Sequence, residues 1–182
     1  MRKVLFGLLA VALVSGTASA NPVRWTLSGV TFSDGGTASG SFVYDANTNA
    51  YSSVNITTTA GTVVLTGATL QYVAAGGLPP TTGQVLVAAS NAADLTGARA
   101  FALFFAPVLS NAGGLVALTG QEASCANAAC TGPAAPSRSV NAGSVNGAPL
   151  SSDVPALSPW ALLATGLLLA AAGFAALRRG VF

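Results

Sequence analysis

Three features of the 182-residue sequence predict a mainly β protein, an antiparallel sandwich or meander with an N-terminal signal helix and one C-terminal transmembrane helix. Short β-type runs recur between Arg24 and Thr119, separated by Gly, Asn, Asp and Ser, which is how an antiparallel all-β domain is punctuated. An apolar run stands behind Arg2-Lys3 at one end, and a longer one stands before Arg178-Arg179 at the other. These features divide the chain into a signal peptide over 1–20, a β-rich ectodomain over 21–150 and a sorting or anchor segment over 151–182.

At the N-terminus, Arg2 and Lys3 precede the eleven apolar-rich residues Val4 to Val14, and Ala18-Ser19-Ala20 follows as a small-x-small cleavage site. That order is a secretory signal peptide, too short to span a bilayer, which takes about 20 residues. Cleavage after Ala20, with Ala18 and Ala20 as the small residues, leaves Asn21 as the mature terminus and removes the only lysine, Lys3. The Sec translocon and signal peptidase are the implied partners.

The β-type runs are Trp25 to Phe32, Gly40 to Tyr44, Val54 to Thr58, Thr62 to Val73, Gln84 to Ala88, Arg99 to Phe105 and Leu115 to Thr119. Val54-x-Ile56-x-Thr58 and Phe101-x-Leu103-x-Phe105 alternate, so each set lies on one face. Trp25 and Leu27 share one parity while Val30 and Phe32 share the other, so a bulge is expected at Ser28-Gly29. The expected core contains Trp25, Leu27, Phe42, Ile56, Leu65, Phe101, Leu103 and Phe105. Asp34-Gly35-Gly36 reads as a turn. From Pro133 to Asp153 the chain is rich in Ala, Ser, Gly and Asn, with Val140 and Val145 its only β-branched residues before Val154, and the end of this stretch reads as a flexible tether.

Trp160 to Leu177 is eighteen residues without a charge, closed by Arg178 and Arg179. At 1.5 Å per residue such a helix is about 27 Å long, enough for a bilayer core. Trp160 suits one interface, and the arginines act as membrane-stop charges on the cytoplasmic side.

Charged residues make up only 7% of the chain and histidine is absent. Between the two ends, Arg24, Arg99 and Arg138 face Asp34, Asp45, Asp94, Glu122 and Asp153, so no basic patch exists for nucleic acid. Without His, Ser-His-Asp and Cys-His catalysis are excluded, and loss of Lys3 removes Ser-Lys and Schiff-base chemistry from the mature chain. Only paired carboxylates remain for a hydrolase, and the turn settings of Asp34, Asp45 and Asp94 favour local backbone capping. Asp45-x-Asn47-x-Asn49 starts like a calcium loop, but Ala50 and Ile56 stand where the glycine and the bidentate glutamate are needed. No metal site, cofactor site or catalytic residue is therefore expected. Cys125 and Cys130, with four residues between them in an exported chain, are expected to form a local disulfide.

Val154-Pro155-Ala156-Leu157-Ser158-Pro159-Trp160, followed by the apolar run and the arginine pair, resembles the PEP-CTERM class of bacterial sorting domains in its I-P-T-L-x-x-W-G variant. Pro155, Leu157 and Trp160 match in register and Val154 replaces Ile conservatively, whereas Ala156 and Ala161 depart from Thr and Gly. The opening from Trp25 to Asp45 is similar to other ectodomains that carry such tails. The resemblance implies that Val154, Pro155, Ala156, Leu157, Ser158 and Trp160 are a substrate motif for an exosortase-like membrane protease or transpeptidase. It implies an inner-membrane precursor passed on to the cell surface or extracellular matrix, where its work would be structural or adhesive. The alternative is a permanently anchored periplasmic module that binds glycan or peptide. A third reading, a two-carboxylate hydrolase, would require a close acidic pair.

Overall fold

The computed structural model describes residues 21–74, 76–150, 166–170, 173–175 and 177–178, and the chain divides into two units, 1–150 and 151–182. The described residues of the first unit form nine strands: β1 (Val23–Phe32), β2 (Thr37–Asp45), β3 (Ala50–Thr58), β4 (Ala68–Leu70), β5 (Tyr72–Val73), β6 (Gln84–Ala88), β7 (Arg99–Ala106), β8 (Gly114–Cys125) and β9 (Pro133–Pro149). All pairings are antiparallel, in the order β4-β3-β2-β1-β9-β8-β7-β6-β5.

The two outer strands of that order are separated by Gln71 alone. Ala68–Leu70 pairs with β3 and Tyr72–Val73 with β6, and the Gln71 amide donates to Ala88 O at 3.1 Å. One bent segment therefore joins both margins, and the sheet curls into a nearly closed meander barrel. Counting β4 and β5 as one stave gives eight, a size at which side chains fill the interior. The expected sandwich is thus replaced by the other expected form, a single meandering sheet. A ring leaves no long unpaired edge.

Trp25, Leu27, Phe42, Ile56, Phe101, Leu103 and Phe105 are buried in the interior, as alternation predicts, together with Tyr44, Leu70, Val85, Val116 and Val145. Phe32 packs on Phe101 and Phe42 on Phe105, with ring centroids 5.3 and 5.7 Å apart. The bulge expected in β1 is present: register shifts between Thr26 and Val30, with Gly29 at φ +60°. Leu65 is a correction, being 73% exposed. Its run is not one strand, because residues 61–64 turn around Asp34: Gly61 N bonds Val64 O, and Thr62 N bonds Asp34 O. Val64 and Leu70 are buried in place of Leu65.

A second correction concerns the stretch expected to end as a tether. Pro133–Pro149 is β9, the longest strand at 17 residues, inserted between β1 and β8. Its small residues serve close packing. A Cβ at Gly147 would lie 2.8 Å from the Trp25 ring, and one at Gly143 would lie 2.7 Å from Val30 Cγ2. Small residues over a bulky core side chain read, in sequence, like flexibility.

The barrel has two unlike ends. One carries the β1–β2 turn, the 59–67 segment, the 89–98 loop and the 126–132 loop. The other carries the 46–49 turn, the 107–113 loop and the start of β1 beside the end of β9: Leu150 N donates to Pro22 O at 2.9 Å, and Val23 pairs with Pro149.

In the second unit, residues 166–170, 173–175 and 177–178 are helical, with Leu167, Leu168, Leu169, Phe174 and Leu177 exposed. Among the described residues no helix is long and apolar enough to cross a membrane, and residues 160–165, 171, 172 and 176 of the expected span 160–177 lie outside the described residues. The expected signal helix, 1–20, lies outside the described residues.

Candidate functional site

At the end of the barrel away from Pro22 and Leu150, four charged side chains from distant segments meet. Arg138 of β9 donates through Nε to Glu122 Oε2 at 2.7 Å, and its Nη1 reaches Asp34 Oδ1 and Oδ2 at 3.3 and 3.4 Å. Its Nη2 forms an ion pair with Glu122 Oε2 at 2.5 Å, without hydrogen-bond geometry. Its Cζ stands 4.1 Å from the centre of the Phe32 ring, within cation–π range. Glu122 Oε1 accepts from Thr58 Oγ1 at 3.0 Å and lies 3.7 Å from Arg99 Nε. Asp34 Oδ1 takes the Gly36 amide at 3.1 Å, and Oδ2 takes the Val64 amide at 3.0 Å. Asp34, Glu122 and Arg138 are all buried.

Two carboxylates of this cluster, Asp34 and Glu122, share one arginine. Arg138 stands between Asp34 and Glu122, and both oxygens of each carboxylate already have partners. Gly36 is part of the same arrangement, since a Cβ there would collide with the Arg138 guanidinium. The two arginines balance the two carboxylates and tie together the β1–β2 turn, β3, β7, β8, β9 and the 59–67 segment. Pairing of this kind is what makes buried charge tolerable.

Burial by itself pushes the Asp34 carboxyl upward, but the Val64 and Gly36 amides and then Arg138 outweigh it and hold the group at about 2, against an ordinary 3.8. A carboxylate whose folded value is depressed stabilises the fold above its unfolded value, and that contribution disappears as pH falls through the folded one. Stability of the barrel is therefore expected to drop between pH 3.8 and about 2. Asp34→Asn should be less stable at neutral pH and should lose less over that interval. Denaturant midpoints measured across it check this, and parallel acid curves for the two proteins would refute the assignment.

On the outer face of β6–β8 lies a smaller apolar layer of Ala74, Leu86, Ala88, Leu95, Ala100 and Cys125. Cys125 and Cys130 are joined in a disulfide, with Cα atoms 4.6 Å apart. The loop they close organises its neighbours: Ala128 O accepts Leu95 N, Ala129 O accepts Gly77 N, and Cys125 O accepts Gly97 N, at 3.1, 2.8 and 2.9 Å. Beside it is a cleft of about 250 Å³ whose lining includes Leu78, Leu86, Phe104, Gln121 and Cys130. Alkylation of the folded protein without reduction should label neither cysteine. Replacing both by serine should speed amide exchange in the 75–80 and 89–98 segments while β1, β2 and β9 stay protected. Loss of protection throughout the barrel would show that the disulfide holds more than this outer layer.

The remaining expected site residues are placed as follows. Asp45 belongs to a tight turn, its carboxylate accepting from Asn47 N, Thr48 Oγ1 and Asn111 Nδ2 at 2.9, 3.0 and 3.2 Å. Among the described residues no group of three or more His, Cys, Asp or Glu is arranged to hold a metal ion. Ala18, Ala20, the motif Val154, Pro155, Ala156, Leu157, Ser158 and Trp160, and Arg179 lie outside the described residues. Arg178 is helical, its guanidinium 5.7 Å from the centre of the Phe174 ring. The sequence reading missed the joining of Arg99, Glu122, Arg138 and Asp34. Strand parity was the available signal: Glu122 shares the parity of Val116 and Leu118, and Arg99 that of Phe101, Leu103 and Phe105.

No curated protein and no solved structure matches the chain significantly. Residues 154–179 match the family described as the IPTL-CTERM motif, a match consistent with a C-terminal sorting domain of the PEP-CTERM class.

Proposed function

We propose that this is an exported, non-enzymatic surface or matrix protein. In this reading the leader 1–20 directs export, the helix 160–177 holds the precursor in the inner membrane, and an exosortase-like enzyme acts at Val154 to Trp160 to release or transfer the barrel. The match over 154–179 carries the proposal. The proline pair supports it, because Pro155 and Pro159 each lack a backbone donor and disfavour helix before them, leaving an extended segment for a protease. Arg178 and Arg179 suit the cytoplasmic end of a membrane segment.

The carboxylates support a non-catalytic barrel. Burial opposed by amides and Arg138 leaves Asp34 near 2, and Asp45 and Asp94 are lowered chiefly by their hydrogen bonds to Asn47 and Thr96. None of these three is tuned toward neutrality, where a general acid or base works best. Intact-mass measurement of the mature protein from its native host tests the whole reading. A C-terminus within or near 154–160 is expected, and retention of Arg178-Arg179 in the mature protein would replace sorting by permanent anchoring.

A further inference from the structure

The outer face of β6–β8 is floored by short side chains. Ala100 pairs across the sheet with Ala88 and Ala123, and Ala102 pairs with Leu86 and Gln121. The cleft of about 250 Å³ lies over this floor, beside Leu86 and Phe104, and loop residues 77–78 and 130–133 complete its lining. Among the described residues that line it none is charged, and a charge placed there would lose hydration without gaining a partner. An uncharged aliphatic group is therefore what the floor admits. The volume lies below the roughly 300–1,000 Å³ of pockets that take drug-sized ligands, which suits one side chain.

The same domain presents such a group without cover. Between β3 and β4, Gly61 N bonds Val64 O, Thr62 N bonds Asp34 O, and Val64 N bonds Asp34 Oδ2. This turn buries Val64 and leaves Val63 and Leu65 projecting, at 52% and 73% exposure, between Thr62 and Thr66, which are exposed and uncharged. Its hydrogen bonds fix the backbone before any contact is made, which lowers the ordering cost of binding. Leu65 is not among the residues that line the cleft, so a chain does not fill its own cleft. We propose that the 62–66 loop of one copy of this chain seats Leu65 in the β6–β8 cleft of a second copy. Two different patches meet, so each copy that gives its leucine still offers a cleft, and copies add head to tail. With 7% charged residues the chain opposes this with little repulsion. The contact involves the barrel alone and does not depend on the sorting reading.

Full chains bearing one of two epitope tags after Phe182 are mixed in dodecyl maltoside, and capture through one tag is scored for the other. Wild-type chains should capture one another. Leu65→Asp, which removes the knob, and Ala102→Leu, which fills the cleft, should each capture themselves several-fold less. Mixing Leu65→Asp with Ala102→Leu should restore capture, since one leucine and one cleft remain intact in that pair. Phe104→Glu, at the exposed margin of the cleft, takes the place of Ala102→Leu if the latter loses a protease-resistant barrel. Capture through the C-terminal apolar segment would be equal in every pair. Undiminished self-capture by the variants, no restoration in the mixed pair, or no capture between wild-type chains each overturns the proposal.

Discussion

Replacing Arg138 by methionine is expected to destabilise the barrel by on the order of 3–5 kcal/mol, the usual cost of removing one partner from a buried ion pair. The loss does not come mainly from missing attraction. Without the guanidinium, Glu122 keeps Thr58 and a distant Arg99, and Asp34 keeps two amides, so two buried carboxylates remain in apolar surroundings without their principal counter-charge. Desolvated and unpaired charge is the expensive state. Denaturant midpoints, followed by the fluorescence of buried Trp25, measure the effect. Adding Glu122→Gln to Arg138→Met should recover part of the loss, since neither change then leaves a charge at position 122. A single variant within about 1 kcal/mol of wild type would mean that the network is solvated in solution, where exposed pairs contribute little.

Substitution of Pro155 and Leu157 by alanine together is expected to abolish most of the release, leaving full-length precursor in the membrane fraction of the native host. The two residues belong to the matched motif, and the barrel ends at Leu150 with its last strand already paired on both sides. The substitutions should therefore leave the fold unchanged, which resistance of the barrel to added protease would verify. Deleting Trp160 to Phe182 should give a soluble, folded, exported protein, because the apolar segment that retains the chain is absent. Normal release of the alanine variant would dismiss the motif as a recognition element, and aggregation of the truncated chain would show that the C-terminal segment supports folding.

Strand periodicity made most of the wall of the barrel legible. Phe101, Leu103 and Phe105 alternate and point inward, and the parity break at Ser28-Gly29 became the bulge of β1. The same rule, followed through charged residues, points Arg99 and Glu122 inward as well. It was not followed there, because a charge in a strand is ordinarily solvated, and only the convergence of six segments supplies the partners that reverse that expectation. Leu65 failed for a related reason. Its backbone neighbours spend their amides on Asp34, a residue about thirty positions away, and no local pattern announces such a partner.

β9 shows most plainly where the sequence stops. Ser, Ala, Gly and Asn carry no β propensity, yet Pro133–Pro149 is the strand that closes the ring between β1 and β8. Its residues are small because Trp25 and Val30 press against Gly147 and Gly143, a requirement written in the partner strand. By itself the sequence determined the features that depend on local order: the sorting motif with its apolar run and arginine pair, the strand faces and the neighbouring cysteines. Closure at Gln71, the Arg138 network and the meeting of Pro22 with Leu150 depend on contacts between residues far apart in the chain, and only the tertiary structure could decide them.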